Sequence, residues 1–279
     1  MLLFRKFHAA GNDFIVLEED PTLLTEEARR RLCNRHFGVG ADGIIYVTEI
    51  PSLPPGPALS PSSSPADTVD AATFLFRYWN ADGKLGSFCG NGARVAAWIA
   101  YQRHPFHSAY LEAADGRHTV ELLHTTPPLL KVSLSLRKAP QKVGENHWFV
   151  DTGSPHFLQK VSAEELPLFP LSTYAPSLRK DTTYDPDGMN VSIFAQLDTH
   201  RWGLRTYERG VEAETLSCGT ACAALAAVIP DLLGSEMEGT KLIQIETRGG
   251  QLSVQRDNLD LWLIGSVEET FRGEWIAPL

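Results

Sequence analysis

Short apolar runs, continuous or alternating, separated by turns rich in glycine, aspartate and proline, dominate this chain, and few stretches carry the longer pattern of a helix. Residues 2–7 and 14–18 read as two strands around the turn HAAGND (8–13). EEARRRLCNRH (26–36) follows Thr25, with acids first and bases last as a helix dipole favours, and Gly38 is expected to end it. GVGADGIIYVTEI (38–50) is a glycine-rich turn running into a strand at Ile44–Val47, and AATFLFRYWN (71–80) is another strand closing on Asn80, Asp82 and Gly83. Three more strands are expected at 109–113, 118–123 and 129–136.

The second half repeats the plan. HWFVDTGSPHF (147–157) is a strand entering a glycine turn, Ser162 and Glu165 form a capping box expected to start a short helix, and 188–197 and 200–208 are strands. Strands follow at KLIQIET, QLSVQRD and LDLWLIGSV, and FRGEWIAPL closes the chain. Two alanine-rich stretches stand apart as helices. One follows Cys89 in SFCGNGARVAAWIA (87–100); the other follows Cys218 in LSCGTACAALAAV (216–228), with Pro230 expected to end or kink it. Asn80 stands nine residues before Cys89, and Glu208 ten before Cys218, so strand, polar corner, turn and helix-capping cysteine occur twice. The fold class implied is α+β, in two pseudosymmetric lobes with a cleft between them. The expected boundaries are 1–135, with 266–279 returning to it, and 136–265; the Pro/Ser-rich run at 51–67 reads as a surface insertion.

Composition narrows the chemistry. With 25 Lys and Arg against 34 Asp and Glu the net charge is −9, and no basic patch is interleaved with aromatics, which argues against nucleic acid. No stretch approaches the roughly 20 apolar residues of a membrane span, so no membrane partner is expected. Four cysteines (Cys33, Cys89, Cys218, Cys222) are sparse for a disulfide framework, and a reducing cytoplasm is the natural assignment. They also lack zinc-site spacing, and no cofactor motif is present, so neither metal nor cofactor is expected.

A thiol at a helix N-terminus is acidified toward thiolate, and the same N–H groups hold a carboxylate. The plain alternative is that Cys89 and Cys218 are small buried hydrophobes, as Cys33 within its helix is expected to be. Two acidic thiols, one per lobe, suit two-base proton exchange at carbon, one removing a proton from one face while the other delivers one to the opposite face. The backbone N–H groups of Gly90, Asn91, Gly219 and Thr220 are placed to stabilise the charge developing on a substrate carboxylate. His8 is as well explained by packing as by a place in the site.

FHAAGNDF, GVGADG, NADG with CGNGAR, GSPH, and ERG with ETLSCGT, in that order over nearly the whole chain, resemble diaminopimelate epimerase, the pyridoxal-independent family that converts LL- to meso-diaminopimelate. The resemblance implies that Cys89 and Cys218 are the catalytic acid and base, that Asn12 binds substrate, and that Asn80 and Asn190 bind its distal end. It implies that Glu208 and Arg209 read the distal ammonium and carboxylate, and that His156 and Glu208 help orient the cysteines. It further implies a role in lysine and peptidoglycan-precursor synthesis, and leaves homodimerisation, seen in many members, open. The chain departs from the family at Gly43, where some members carry glutamine, at Ser154, often asparagine, and at Ala221, usually glycine. Its spacing from ERG to the cysteine is one residue longer. The altered pocket raises some racemisation of glutamate as an expectation. Rival readings are a proline or hydroxyproline racemase, a thiol redox protein and an amino-acid-binding module.

Overall fold

In a computed structural model of the chain, the described residues are 1–50, 72–86, 88–234, 242–257 and 260–276. The expected insertion at 51–67 lies outside them. The chain forms two compact units, Met1–Val132 with Gly265–Leu279, and Ser133–Ile264.

The first unit opens with β1 (Leu2–Ala9) and antiparallel β2 (Asn12–Leu17), joined through Ala10 and Gly11, both at positive φ. Helix α1 (Glu26–Cys33) leads to β3 (Gly43–Glu49), parallel to β2, and β4 (Thr73–Asn80), antiparallel to β3. Helix α2 (Gly90–Arg103) then crosses to β5 (Ser108–Ala113), parallel to β4, and β6 (Gly116–Thr125) and β7 (Pro128–Ser135) continue antiparallel.

The second unit retraces this path. β8 (Lys138–Gly144) pairs with β9 (His147–Asp151), which pairs antiparallel with β10 (Pro155–Lys160). Helix α3 (Leu171–Arg179) leads to β11 (Asn190–Gln196), parallel to β10, and β12 (Arg201–Glu208) returns antiparallel with the short β13 (Ala213–Thr215) at its end. Helix α4 (Gly219–Leu233) crosses to β14 (Leu242–Thr247), parallel to β12, followed by antiparallel β15 (Gly250–Asp257) and β16 (Asp260–Ser266). Finally β17 (Glu268–Trp275) pairs antiparallel with β1, Leu2 opposite Trp275. The sheets run β17-β1-β2-β3-β4-β5-β6-β7 and β8-β9-β10-β11-β12-β14-β15-β16, with the same sense at every step. The duplication read from the cysteine motifs therefore extends to the whole strand order.

Each sheet packs around its alanine-rich helix. α2 lies against β1, β3, β4, β5 and β6, and α4 against β8, β9, β10, β11 and β15. Both are buried nearly all round, from Gly90 to Ala97 and from Ala221 to Ile229, the condition in which a helix shows no polar face. On the other side of the first sheet α1 closes a core of Leu2, Ile15, Leu17, Leu32, Ile44 and Trp79. In the second unit α3 does the same with Phe149, Leu171, Ala175, Met189, Val191 and Ile193.

Three local expectations change. α1 stops at Cys33, before Gly38, because the Asn34 side chain accepts from the N–H groups of His36 and Phe37 at 2.9 Å each and turns the chain. The Ser162–Glu165 capping box forms both of its bonds, at 2.9 and 3.2 Å, but residues 163–168 make only a turn. Pro167 lacks the N–H needed to extend it. The helix of this region is instead α3, which carries Pro176 inside it. Of the two outcomes expected at Pro230, an end to the helix does not occur, since α4 continues to Leu233; the close burial of the turns before it outweighs one missing N–H.

Candidate active site

In the first unit, Cys89 is the N-cap of α2, with extended backbone, and its sulfur accepts from the Gly92 N–H at 3.4 Å. The N–H groups of the first turn lack partners within the helix by geometry, and the Gly92 N–H is given to the cap sulfur. On its other side the Cys89 thiol meets the Asn12 carbonyl oxygen at 3.6 Å. Asn12, at the start of β2, also accepts from the Asn91 amide at 3.3 Å and donates to Asp42 at 2.7 Å. Asn91 in turn accepts from the fully buried Arg94 at 2.8 Å. Behind Asn12, Arg35 bridges Asp13 and Asp42, at 2.7 Å to each, and the buried Lys6 ammonium pairs with Asp13 at 2.6 Å. Burial pushes the Asp13 carboxyl up, but Arg35 and Lys6 more than offset this and hold it at about 2. The Asp42 carboxyl is raised by burial and by the charge of Asp13. Cys33 is buried packing, its thiol pushed up to about 12 by burial.

In the second unit, Cys218 is the N-cap of α4 and is buried, with its sulfur 3.4 Å from the Thr220 hydroxyl. The same hydroxyl lies 3.0 Å from His156 Nε2. His156 therefore reaches Cys218 through Thr220. It is fully buried, its Nδ1 has no partner among the described residues, and burial together with the charge of Arg209 lowers its pKa to about 3. The ring is neutral at neutral pH. The expectation of an acidified thiolate does not hold for Cys218: burial, and then the negative charge of Glu208, raise its pKa well above the ordinary thiol value. The desolvation of a fully buried sulfur outweighs the helix end.

Glu208, at the end of β12, accepts from the Thr215 hydroxyl. Next to it, the Arg209 backbone N–H donates to the Asn190 carbonyl oxygen at 2.8 Å, while its guanidinium donates to Gly188 O at 3.1 Å and lies 3.5 Å from Asp185. Asn190 is buried, its amide donating to Ser154 Oγ at 2.8 Å and Pro155 O at 3.3 Å. Its hydrogen bonds thus tie β11, the turn before β10 and the start of the ERG turn together. Asn80 is the last residue of β4, where its N–H donates to Lys84 O and its backbone carbonyl accepts from the Gly83 N–H, both at 2.9 Å. The structure thus gathers Asn12 and Asn91 at Cys89 in the first unit. In the second it gathers Thr220, His156 and Glu208 at Cys218, with Asn190 beside Arg209.

A family model described as diaminopimelate epimerase matches residues 4–134. The diaminopimelate epimerase of Chlorobaculum tepidum is 33% identical over 280 residues, covering 95% of this chain and 97% of its own. The chain belongs to the diaminopimelate epimerase family. That of Methanocella arvoryzae is 32% identical, covering 97% of this chain and 95% of its own. Among solved structures, a Bacillus anthracis protein of the PhzF family superposes with a TM-score of 0.71 at 16% identity, covering 99% of both chains. A probable proline racemase from Agrobacterium radiobacter superposes with a TM-score of 0.68 at 11% identity, covering 100% of this chain and 94% of its own. These two show the α+β epimerase fold and nothing about substrate.

Membership of the diaminopimelate epimerase family gives the departures a structural meaning. At Gly43 a Cβ would lie 2.3 Å from the Tyr78 ring and 2.5 Å from Trp79 O. The Tyr78 ring fills the place that a side chain at position 43 would take. Ser154 supplies the oxygen that holds the Asn190 amide. Ala221 is buried in the first turn of α4, where a methyl group is accommodated.

Several residues around the thiols escaped the sequence reading. Asp13, Asp42 and Arg94 stand inside the quoted motifs GNDF, GADG and CGNGAR, and that position was the available signal. Lys6 and Arg35 carried none. Thr220 was singled out for its backbone, whereas its hydroxyl makes both side-chain contacts. The buried pair Arg205–Glu214, with bonds of 2.7 and 2.8 Å, anchors the 166–169 turn to β12 through carbonyl contacts at 2.7 and 3.0 Å. No group of three or more His, Cys, Asp or Glu side chains is placed to hold a metal among the described residues, and no helix there is long and apolar enough to cross a membrane.

Proposed function

We propose that this protein interconverts LL- and meso-diaminopimelate by proton transfer at Cα, with Cys89 and Cys218 serving opposite faces of one carbon. The observation that carries the reading is the duplication itself: two units of one strand order, each presenting one cysteine as the N-cap of its central helix. The substrate's α-carboxylate is held by the first-turn N–H groups at Gly90 and Asn91 and at Gly219 and Thr220, where charge develops as the α-proton leaves. That proton is a very weak acid, so the base must be strong. Burial and Glu208 keep Cys218 a thiol at neutral pH, ready to donate; in the reverse direction the same environment makes its thiolate strongly basic. His156 and Thr220 orient this thiol.

Arg209 and Glu208 receive the distal carboxylate and ammonium, and Asn80 binds the same end of the substrate. Asn190 holds the Arg209 turn, and Asn12 contacts substrate next to Cys89. Cofactor-free lysine and peptidoglycan-precursor synthesis in the cytoplasm, by a homodimer, is the setting this reading implies. Some racemisation of glutamate belongs to it as a secondary activity.

The test is incubation with LL-diaminopimelate in deuterated water without added cofactor. The expected result is meso product carrying deuterium at Cα, lost in both Cys89→Ala and Cys218→Ala. Full turnover by either variant, or tight binding without exchange, refutes the reading.

A further inference from the structure

The hydrogen bonds that run from Arg94 and Asp42 through Asn91 and Asn12 to Cys89 form a directed chain with both ends fixed by chemistry. Arginine only donates, so the Asn91 oxygen must face Arg94, at 2.8 Å, and its amino group must face Asn12, at 3.3 Å. An ionised carboxylate only accepts, so the Asn12 amino group must face Asp42, at 2.7 Å. What remains for the Cys89 thiol, at 3.6 Å, is the Asn12 carbonyl oxygen. We propose that Asp42 and Arg94 are positioning residues that fix the direction of the Asn91–Asn12 amide chain, so that a carbonyl and not an amino group faces the Cys89 sulfur.

The inference rests on the reading of Cys89 as a base. A sulfur that takes a very weakly acidic proton must stay strongly basic, and an amino group in place of the carbonyl would stabilise the thiolate and weaken it. Among the described residues, the charged groups joined to this chain of bonds are Asp42, Asp13, Arg35, Lys6 and Arg94. The first four form a closed ion-pair cluster that keeps the Asp42 carboxylate oriented, Arg35 lying 2.7 Å from Asp42 and from Asp13. Asp42 stands inside the GADG motif and reaches Cys89 through Asn12.

The decisive variant is Asp42→Asn, the same size and partly exposed. With an amide at 42 able to donate or accept, Asn12 is released to turn. The readout is the rate of Cys89 alkylation by iodoacetamide against pH, followed on the Cys89 peptide by mass spectrometry without substrate. The expected result is a curve whose midpoint moves toward acid, giving about three- to tenfold faster alkylation at neutral pH, since the thiolate is the nucleophile. Turnover of LL-diaminopimelate should fall about tenfold in kcat with less than about threefold change in KM, as for a weakened base. Asp42→Glu should restore the wild-type midpoint.

A higher alkylation plateau with an unmoved midpoint reports mere accessibility and overturns the assignment, as does lost turnover without a change in the alkylation curve. Should Asp42→Asn melt early, Asp42→Ser is read by the same curve. Because alkylation is read without substrate, a protein inactive on diaminopimelate would still report the amide's direction.

Discussion

Replacing Thr220 with valine removes one hydroxyl and keeps the shape, and in the second unit that hydroxyl serves two groups. It lies 3.0 Å from His156 Nε2 and 3.4 Å from the Cys218 sulfur. The His156 ring is fully buried, and its Nδ1 already lacks a partner among the described residues. Without Thr220 Oγ1 its other nitrogen is stranded too, at a cost of about 1–3 kcal/mol for an unsatisfied buried polar group. For a chain of this size that corresponds to a fall in melting temperature of roughly 2–10 °C. The Cys218 thiolate loses a hydrogen-bond donor of about 0.5–1.5 kcal/mol, which corresponds to roughly two- to tenfold in rate when that thiolate is the base.

Three observables follow: melting by calorimetry, alkylation of the Cys218 peptide against pH, and Cα deuteration in both reaction directions. Thr220→Ser, which keeps the hydroxyl, should track the wild type in all three. The backbone contact from Thr152 to Thr220 O at 3.0 Å survives either change, so helix position is not the variable. A valine variant that melts within about 1 °C of the wild type and turns over within about twofold of it would refute a functional link from His156 through Thr220 to Cys218.

Two further outcomes come from the same unit and one from the first unit. His156 is held neutral with its pKa lowered from 6.5 to about 3, so below pH 6.5 the unfolded chain binds a proton that the folded chain refuses. Stability should fall as pH drops from about 6.5 toward 3, and His156→Gln should flatten that slope in melting measured against pH. Asp13 acts lower, its carboxyl being held at about 2 against 3.8, so its contribution is lost only as pH falls from 3.8 toward 2. Gly188 sits at φ +72°, where a Cβ would lie 2.1 Å from Arg179 O, and its own carbonyl accepts from Arg209 at 3.1 Å. Gly188→Ala should destabilise by about 1–3 kcal/mol through backbone strain, read in urea unfolding. It should raise KM more than it lowers kcat as Arg209 shifts.

The duplicated plan was legible because local signals carried it. A polar turn, a cysteine and a run of alanines occur in matching places, and both cysteines are N-caps as those signals implied. The ionisation of Cys218 was not legible, because it depends on burial and on Glu208, which only the folded unit brings to bear. The capping box at Ser162 misled for a related reason. Its bonds are real and local, yet Pro167 stops the turn, while α3 forms around Pro176 because its Leu171 and Ala175 face a core. β8 escaped notice since most of its residues are exposed, it contains Pro140, and its pairing with β9 shifts register twice. The direction of the amide chain at Cys89 lay furthest from view. It needs an arginine and a carboxylate from separate motifs to meet the same two asparagines.

The pairing of β17 with β1 carries a last consequence. In the second unit the equivalent outer strand, β8, directly precedes its partner β9, so that unit is one continuous stretch of chain. The first unit takes its outer strand from beyond residue 264, with Leu2 opposite Trp275. During synthesis the later-made unit therefore completes its own sheet before the earlier-made one can. Until β17 emerges, the edge of β1 stays unpaired, and this is the interval in which a nascent-chain chaperone would have most to cover.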